Sequence, residues 1–160
     1  MDFKKIFRRF IEHKKNLKVI SVASCSETCR PNSAPKMLVD IVEPNQVFFL
    51  DYKFTQTYSN SLKNPQLSLS FMDDDVFEGY RLTGTCEVLE SGKEYEAAKK
   101  SWEKRLISYE ADRIIKRVRG DYSAREDEST LPKDFVVMKV TAEEASIVKP
   151  DRVLRAQRLR

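Results

Sequence analysis

The sequence has 160 residues, the size of one ordinary domain, and its 41% apolar and 10% aromatic content excludes a wholly disordered chain. The net charge of +4 comes from well-mixed signs and demands no polyanionic partner. The apolar stretches are far shorter than the roughly 20 residues of a membrane-spanning helix, residues 1–10 lack the apolar run of a secretory signal, and three cysteines argue against a disulfide scaffold. A reducing, cytoplasmic setting is therefore expected.

Asp2 caps an expected helix whose Phe3, Ile6, Phe7, Phe10 and Ile11 share one face, packing as a lid over the end of a sheet. Residues 17–23 (LKVISVA) are rich in β-branched side chains and predict a buried strand. A polar turn over residues 24–32 leads to a second strand at 33–42. Glu43-Pro44-Asn45 turns the chain again into a third strand at 47–51. From Thr55 the spacing of Thr57, Asn60 and Leu62 predicts a short helix that Pro65 stops.

Leu67, Leu69 and Phe71 alternate with Ser68 and Ser70, the pattern of a half-buried strand. After an acidic turn, residues 79–90 form a long strand with Gly84 at its middle, where a bulge or a close backbone approach is expected. Ser91 is a candidate cap, with Glu94 as its reciprocal partner, for a helix carrying Tyr95, Ala98, Trp102, Leu106 and Tyr109 on one line. A second helical stretch is expected at 112–118 and a polar loop at 120–132. Residues 135–140 and 144–148 supply a last strand or pair of strands, and residues 151–160 a loose basic tail. Mostly antiparallel strands with helices inserted late predict a mainly β (α+β) single domain over residues 1–150, a closed or nearly closed barrel with peripheral helices.

Two segments carry candidate chemistry. In Arg30-Pro31-Asn32-Ser33-Ala34-Pro35-Lys36 the prolines prevent a regular ladder on both sides. Unpaired backbone groups there suit the edge of a heteroaromatic ring, with Arg30 and Lys36 adding positive charge; an ordinary proline-rich turn is the plainer reading. The second follows Asp51 and contains Lys53, Thr55, Gln56, Thr57, Ser59, Asn60 and Ser61. Hydroxyls and a lysine at the first turn of a helix suit a phosphate, and equally suit simple capping.

Other signals are weaker. Cys25 and Cys29 lack the further soft ligands of a metal site and read as free cysteines, so no metal is expected. The single His13 reads as a surface histidine, and Asp73-Asp74-Asp75 as a solvated turn. The basic run Arg113, Lys116, Arg117 and Arg119 reads as a solvated helix face rather than a nucleic-acid contact.

Taken in order, Arg30-Pro31-Asn32 with Pro35-Lys36, then Thr57, Asn60 and Asn64-Pro65, then residues 77–85 (FEGYRLTGT), resemble the pyridoxamine 5′-phosphate oxidase-like, FMN-binding split barrels. The resemblance runs from about Leu17 to Glu90. It implies a six-stranded antiparallel split β-barrel and a homodimer with FMN at the interface. Arg30, Asn32, Ser33, Pro35 and Lys36 would frame the flavin ring, while Thr57 and Asn60 hold its phosphate. Asp51 and Lys53 would border the phosphate, and Tyr80 and Arg81 would close the site. Gln56 stands where the family often has lysine, and Cys29 where it usually has glycine. The activity implied is that of an FMN-dependent oxidoreductase acting on a small molecule or with a small electron donor. A non-enzymatic FMN-binding electron carrier is the alternative, and no catalytic residue is assigned.

Overall fold

A computed structural model describes residues 2–120 and 135–158. The polar loop expected after Gly120, and the last two residues of the tail, lie outside the described residues.

The chain opens with α1 (Phe3–His13), whose N-cap Asp2 accepts a hydrogen bond from the Lys5 amide at 2.8 Å. Strands β1 (Val19–Cys25), β2 (Pro31–Val42) and β3 (Gln46–Asp51) follow, then α2 (Gln56–Lys63), β4 (Gln66–Asp73) and β5 (Glu78–Leu89). Helix α3 (Lys93–Val118), β6 (Val136–Val148) and β7 (Val153–Gln157) complete the order. All pairings are antiparallel, and the strands run β3-β2-β1-β4-β5-β6-β7. An added β3–β6 pairing closes the first six into a barrel. The six-stranded barrel with peripheral helices expected from the sequence is therefore present, with β7 as a seventh strand.

Alternation fills the barrel. Ile20 and Val22, Leu38, Val47 and Phe49, Leu67 and Leu69, Leu82, Met138 and Val140 all point inward and are buried. Phe3, Ile6, Phe7 and Phe10 of α1 join the same cluster, so this helix plugs the barrel. The outer side of β3 is buried too. Phe48 and Leu50 pack with Val39, Leu89 and Val137 against Ala98 and Trp102 of α3. That double burial explains the continuous apolar run of β3.

Several expectations are corrected. The helix pair is one 26-residue helix, because the sequence between Leu106 and Asp112 contains no breaker. Arg105 fastens it to the barrel by donating to the carbonyls of Lys14 at 3.0 Å and Leu17 at 2.6 Å. The helix begins at Lys93, after Gly92 at φ 96°, and Glu94 bonds Lys139 Nζ at 2.8 Å instead of reaching back to Ser91. Of the one or two strands expected over 135–148, the structure has one, β6, of 13 residues. The tail expected to be loose forms β7, because Val153–Gln157 alternates in exposure and finds the free edge of β6.

Gly84 behaves as its position suggested. The β5–β6 register shifts between Thr83 and Gly84, and a Cβ at Gly84 would lie 2.1 Å from the Thr141 carbonyl oxygen. The β1–β2 turn is tight: the Ser26 amide donates to the Arg30 carbonyl and the Cys29 amide to the Ser26 carbonyl, both at 3.0 Å. Cys29 occupies the left-handed region at φ 60°, which disfavours a residue with a Cβ by about 1–2 kcal/mol.

Candidate functional site

Strand β2 pairs with β1 along Pro31–Met37 but meets β3 only from Leu38 onward. Its first half thus has one edge without a partner strand among the described residues, and this is where the barrel is split. Helix α2 sits beside that opening, bound to it through side chains. Asn32 Nδ2 donates to Ser24 Oγ and to Thr57 Oγ1, each at 3.2 Å. Asn60 Nδ2 donates to the same Ser24 Oγ at 3.0 Å, and Gln56 Nε2 to Asn60 Oδ1 at 2.7 Å. Ser24, Thr57 and Asn60 are buried, Asn32 is half-buried and Gln56 is exposed, so the network is anchored at its inner end and opens outward at Gln56.

A second anchor lies deeper. Lys36 Nζ contacts Asp51 Oδ1 at 2.5 Å, with Lys36 9% and Asp51 0% exposed. The same Oδ1 accepts from the Tyr52 amide and from Thr55 Oγ1, both at 2.8 Å. Thr55 Oγ1 in turn accepts from the Tyr58 amide at 3.1 Å and caps α2. Asp51 Oδ2 is buried and has no hydrogen-bond partner among the described residues. The Lys36 charge is thus committed to Asp51, and the pair fixes where α2 begins.

Beside the first network opens a cavity of about 540 Å³, lined by Ser26, Thr28, Arg30, Asn32, Gln56 and Asn60. It offers one guanidinium, three amides and two hydroxyls. Arg30 brings its guanidinium charge to the lining of this cavity.

Of the residues singled out from the sequence, Arg30, Asn32 and Asn60 therefore line one cavity, and Thr57 stands behind it. Ser33 and Pro35 face outward on the same strand. Lys36 and Asp51 form the buried pair. Lys53 pairs with Glu90 at 2.9 Å on the exposed side of α2, and Tyr58 donates to the same carboxylate at 3.2 Å.

Tyr80 and Arg81 lie apart from the cavity. Tyr80 points inward, 4.9 Å from the Phe71 ring and 5.9 Å from Phe10, and donates to Glu78 Oε2 at 2.8 Å. Burial and then the Glu78 carboxylate push its phenol up to about 12. Arg81 points outward and pairs with Glu144 at 3.5 Å.

Ser24, Ser26 and Thr28 were not singled out by sequence reasoning. Ser24 had a usable signal: it follows Ile20 and Val22 at the inward phase of β1, and a polar residue in that phase needs a partner. Ser26 and Thr28 gave no such signal, since hydroxyls are ordinary in turns.

The sequence matches the family described as Pyridoxamine 5′-phosphate oxidase over residues 3–149. A comparison with curated proteins gives no match. Among solved structures, a Clostridium acetobutylicum protein related to general stress protein 26, of the pyridoxinephosphate oxidase family, is similar with TM-score 0.67 and 19% identity over 96% of this chain and 95% of that one. A pyridoxamine 5′-phosphate oxidase-related, FMN-binding protein of Nostoc punctiforme is similar with TM-score 0.58 and 9% identity, covering 97% and 89%. A haem-binding protein of Mycobacterium smegmatis reaches TM-score 0.65 and 14% identity, over 96% of this chain and 57% of its own.

Proposed function

The chain belongs to the pyridoxamine 5′-phosphate oxidase family, and from that premise we propose that it binds FMN in the split of its barrel and acts as an FMN-dependent oxidoreductase on a small molecule. The observation carrying this reading is the cavity of Ser26, Thr28, Arg30, Asn32, Gln56 and Asn60 beside the unpaired edge of β2. Its volume of about 540 Å³ falls within the range of roughly 300–1,000 Å³ usual for cofactor sites.

The donor set fits the cofactor. A phosphate dianion is held by charge-assisted hydrogen bonds, for which Arg30, Ser26 and Thr28 supply a guanidinium and hydroxyls. A flavin ring needs donors and acceptors along one edge, which the free backbone edge of β2 and the amides of Asn32 and Gln56 offer. Thr57 positions the Asn32 amide from behind, and Asn60, itself in the lining, accepts from Gln56. Lys36 and Asp51 set the start of α2, so Gln56 and Asn60 face the cavity in a fixed orientation. The bound flavin would supply hydride and electron transfer, the chain contributing placement and charge.

A second copy of the chain would complete the site. The outer face of β1, β2 and β4 carries Ser21, Ala23, Ser33, Pro35, Ser68 and Ser70 in two registered rows. Small side chains there allow a second barrel to approach closely, and a homodimer with FMN between its barrels follows. No described helix is long and apolar enough to cross a membrane. A cytoplasmic location is part of this proposal and rests on the odd number of cysteines, which suits a reducing compartment.

The test is the absorption spectrum after loading with excess FMN and desalting. Oxidised-flavin bands in equal stoichiometry with the chain are expected, and a colourless protein refutes the reading. A haem spectrum after haemin addition, without FMN retention, would favour the chemistry of the mycobacterial neighbour. Arg30→Ala should weaken FMN about 10- to 100-fold, as the loss of a charged hydrogen bond implies, while sparing riboflavin, which has no phosphate. Turnover of a nicotinamide donor by the loaded protein separates an enzyme from an electron carrier.

A further inference from the structure

A second cavity opens elsewhere on the barrel. It encloses about 610 Å³ between the first turns of α1, the turn from β2 to β3, and β7, and it shares no described lining residue with the cavity around Arg30. Phe3 and Phe7 line it one helical turn apart, their rings stacked at 5.8 Å. Pro44 of the turn and Ala156 of β7 extend that apolar surface.

The walls are held in place before any ligand arrives. The Asn45 carbonyl accepts from the Ala142 amide, and the Asn45 side-chain amide donates to the Ala142 carbonyl, both at 2.8 Å, which ties the turn to β6. Strand β7 lies in register with β6, and Phe3 and Phe7 belong to the barrel core. Three cationic side chains join the lining: Lys4 of α1, and Arg155 and Arg158 on either side of Ala156. Two carboxylates share it, and both are engaged. Asp2 accepts from the Lys5 amide at 2.8 Å, and Glu43 pairs with Arg8 at 3.8 Å. Preformed sites of this size are mostly apolar with a few polar groups that fix orientation. A simple anion would leave the apolar walls unused, and a plain hydrocarbon would leave the cations unmatched. An apolar body ending in one carboxylate complements both.

We propose that this cavity binds a fatty acid. Its chain lies against Phe3, Phe7, Pro44 and Ala156, and its carboxylate is held by Arg155 and Arg158 through charge-assisted hydrogen bonds. The long stems of the arginines lie along apolar surface while their heads follow the carboxylate to the mouth of the cavity. Binding here does not depend on what the split of the barrel holds.

The test titrates the isotope-labelled full chain with octanoate, decanoate and decanol, and follows the backbone amide resonances. Decanoate is expected to saturate, with shifts centred on Lys4, Phe7 and Ala156. It should bind roughly 10-fold more tightly than octanoate, because two more methylenes are buried. Decanol lacks the charge and should bind about 10- to 100-fold more weakly than decanoate. Arg155→Gln combined with Arg158→Gln should weaken decanoate by a similar factor and leave decanol unchanged. Both side chains are exposed, so the double variant keeps the fold. Equal affinity for decanoate and decanol, an affinity indifferent to chain length, or no saturation at millimolar concentration would overturn the proposal. Shifts centred on Asn32 and Gln56 would overturn it too, since they place the fatty acid in the other cavity.

Discussion

Replacing Lys36 with Met leaves a chain of similar length and removes the ammonium that faces Asp51. Asp51 is fully buried, its Oδ2 has no partner among the described residues, and Oδ1 would keep only the Tyr52 amide and the Thr55 hydroxyl. Breaking a buried ion pair from one side costs about 3–5 kcal/mol, because the remaining charge stays out of water. The two surviving hydrogen bonds place the expected loss near the lower end, about 3 kcal/mol. With a urea slope of about 1–3 kcal/mol per molar for a domain of this size, the unfolding midpoint falls by about 1–3 M. Trp102 is the only tryptophan and is buried between α3 and the barrel, so its fluorescence reports the transition directly. Asp51→Asn in the Lys36→Met background should recover part of the loss, since the stranded charge is gone. A Lys36→Met midpoint indistinguishable from that of the parent would refute the reasoning and mean that water reaches the pair.

Gly84→Ala drives a methyl group into the Thr141 carbonyl, so β5 and β6 must part there. We expect a loss of about 3 kcal/mol, or about 6–12 °C in thermal melting; an unchanged melt would show that the strands spread freely. Tyr80 has its phenol raised to about 12 against about 10 when unfolded, so its contribution is complete below pH 10 and lost as pH rises to 12. Across that window the parent should lose up to about 2 kcal/mol more stability than Tyr80→Phe, and parallel denaturation curves for the two would contradict the assignment.

Much of this architecture is legible in the residues. Alternation in residues 67–71 marks β4, the three-four spacing of Phe3, Ile6, Phe7 and Phe10 marks α1, and Gly84 announces its close contact. The misreadings have physical causes. The apolar line of residues 93–118 extends only to Tyr109, yet a helix needs only the absence of breakers and an anchor such as Arg105 to continue beyond it. The tail looked loose because arginines interrupt it, but an outer strand tolerates charge on its exposed phase.

At the site, the ordered motifs brought Arg30, Asn32, Thr57 and Asn60 to attention, and these sit together. Residue type alone did not reveal that Lys36 is engaged by Asp51, that Tyr80 faces the core, or that Ser24 joins two amides. Those are properties of side-chain direction, set by the phase of each strand.

The two halves of β6 share one side with different neighbours: β3 takes residues 136–141 and β7 takes residues 144–148. At the junction the Asn45 carbonyl accepts from the Ala142 amide, and the Glu143 carbonyl from the Arg158 amide. Residues 153–158 thus act as a stopper on a row of backbone groups that would otherwise be open. A version shortened to residue 150 would keep its barrel yet bare a registered strand edge, the template on which a neighbouring chain can add. Such a version should be harder to keep dispersed in solution than the full chain.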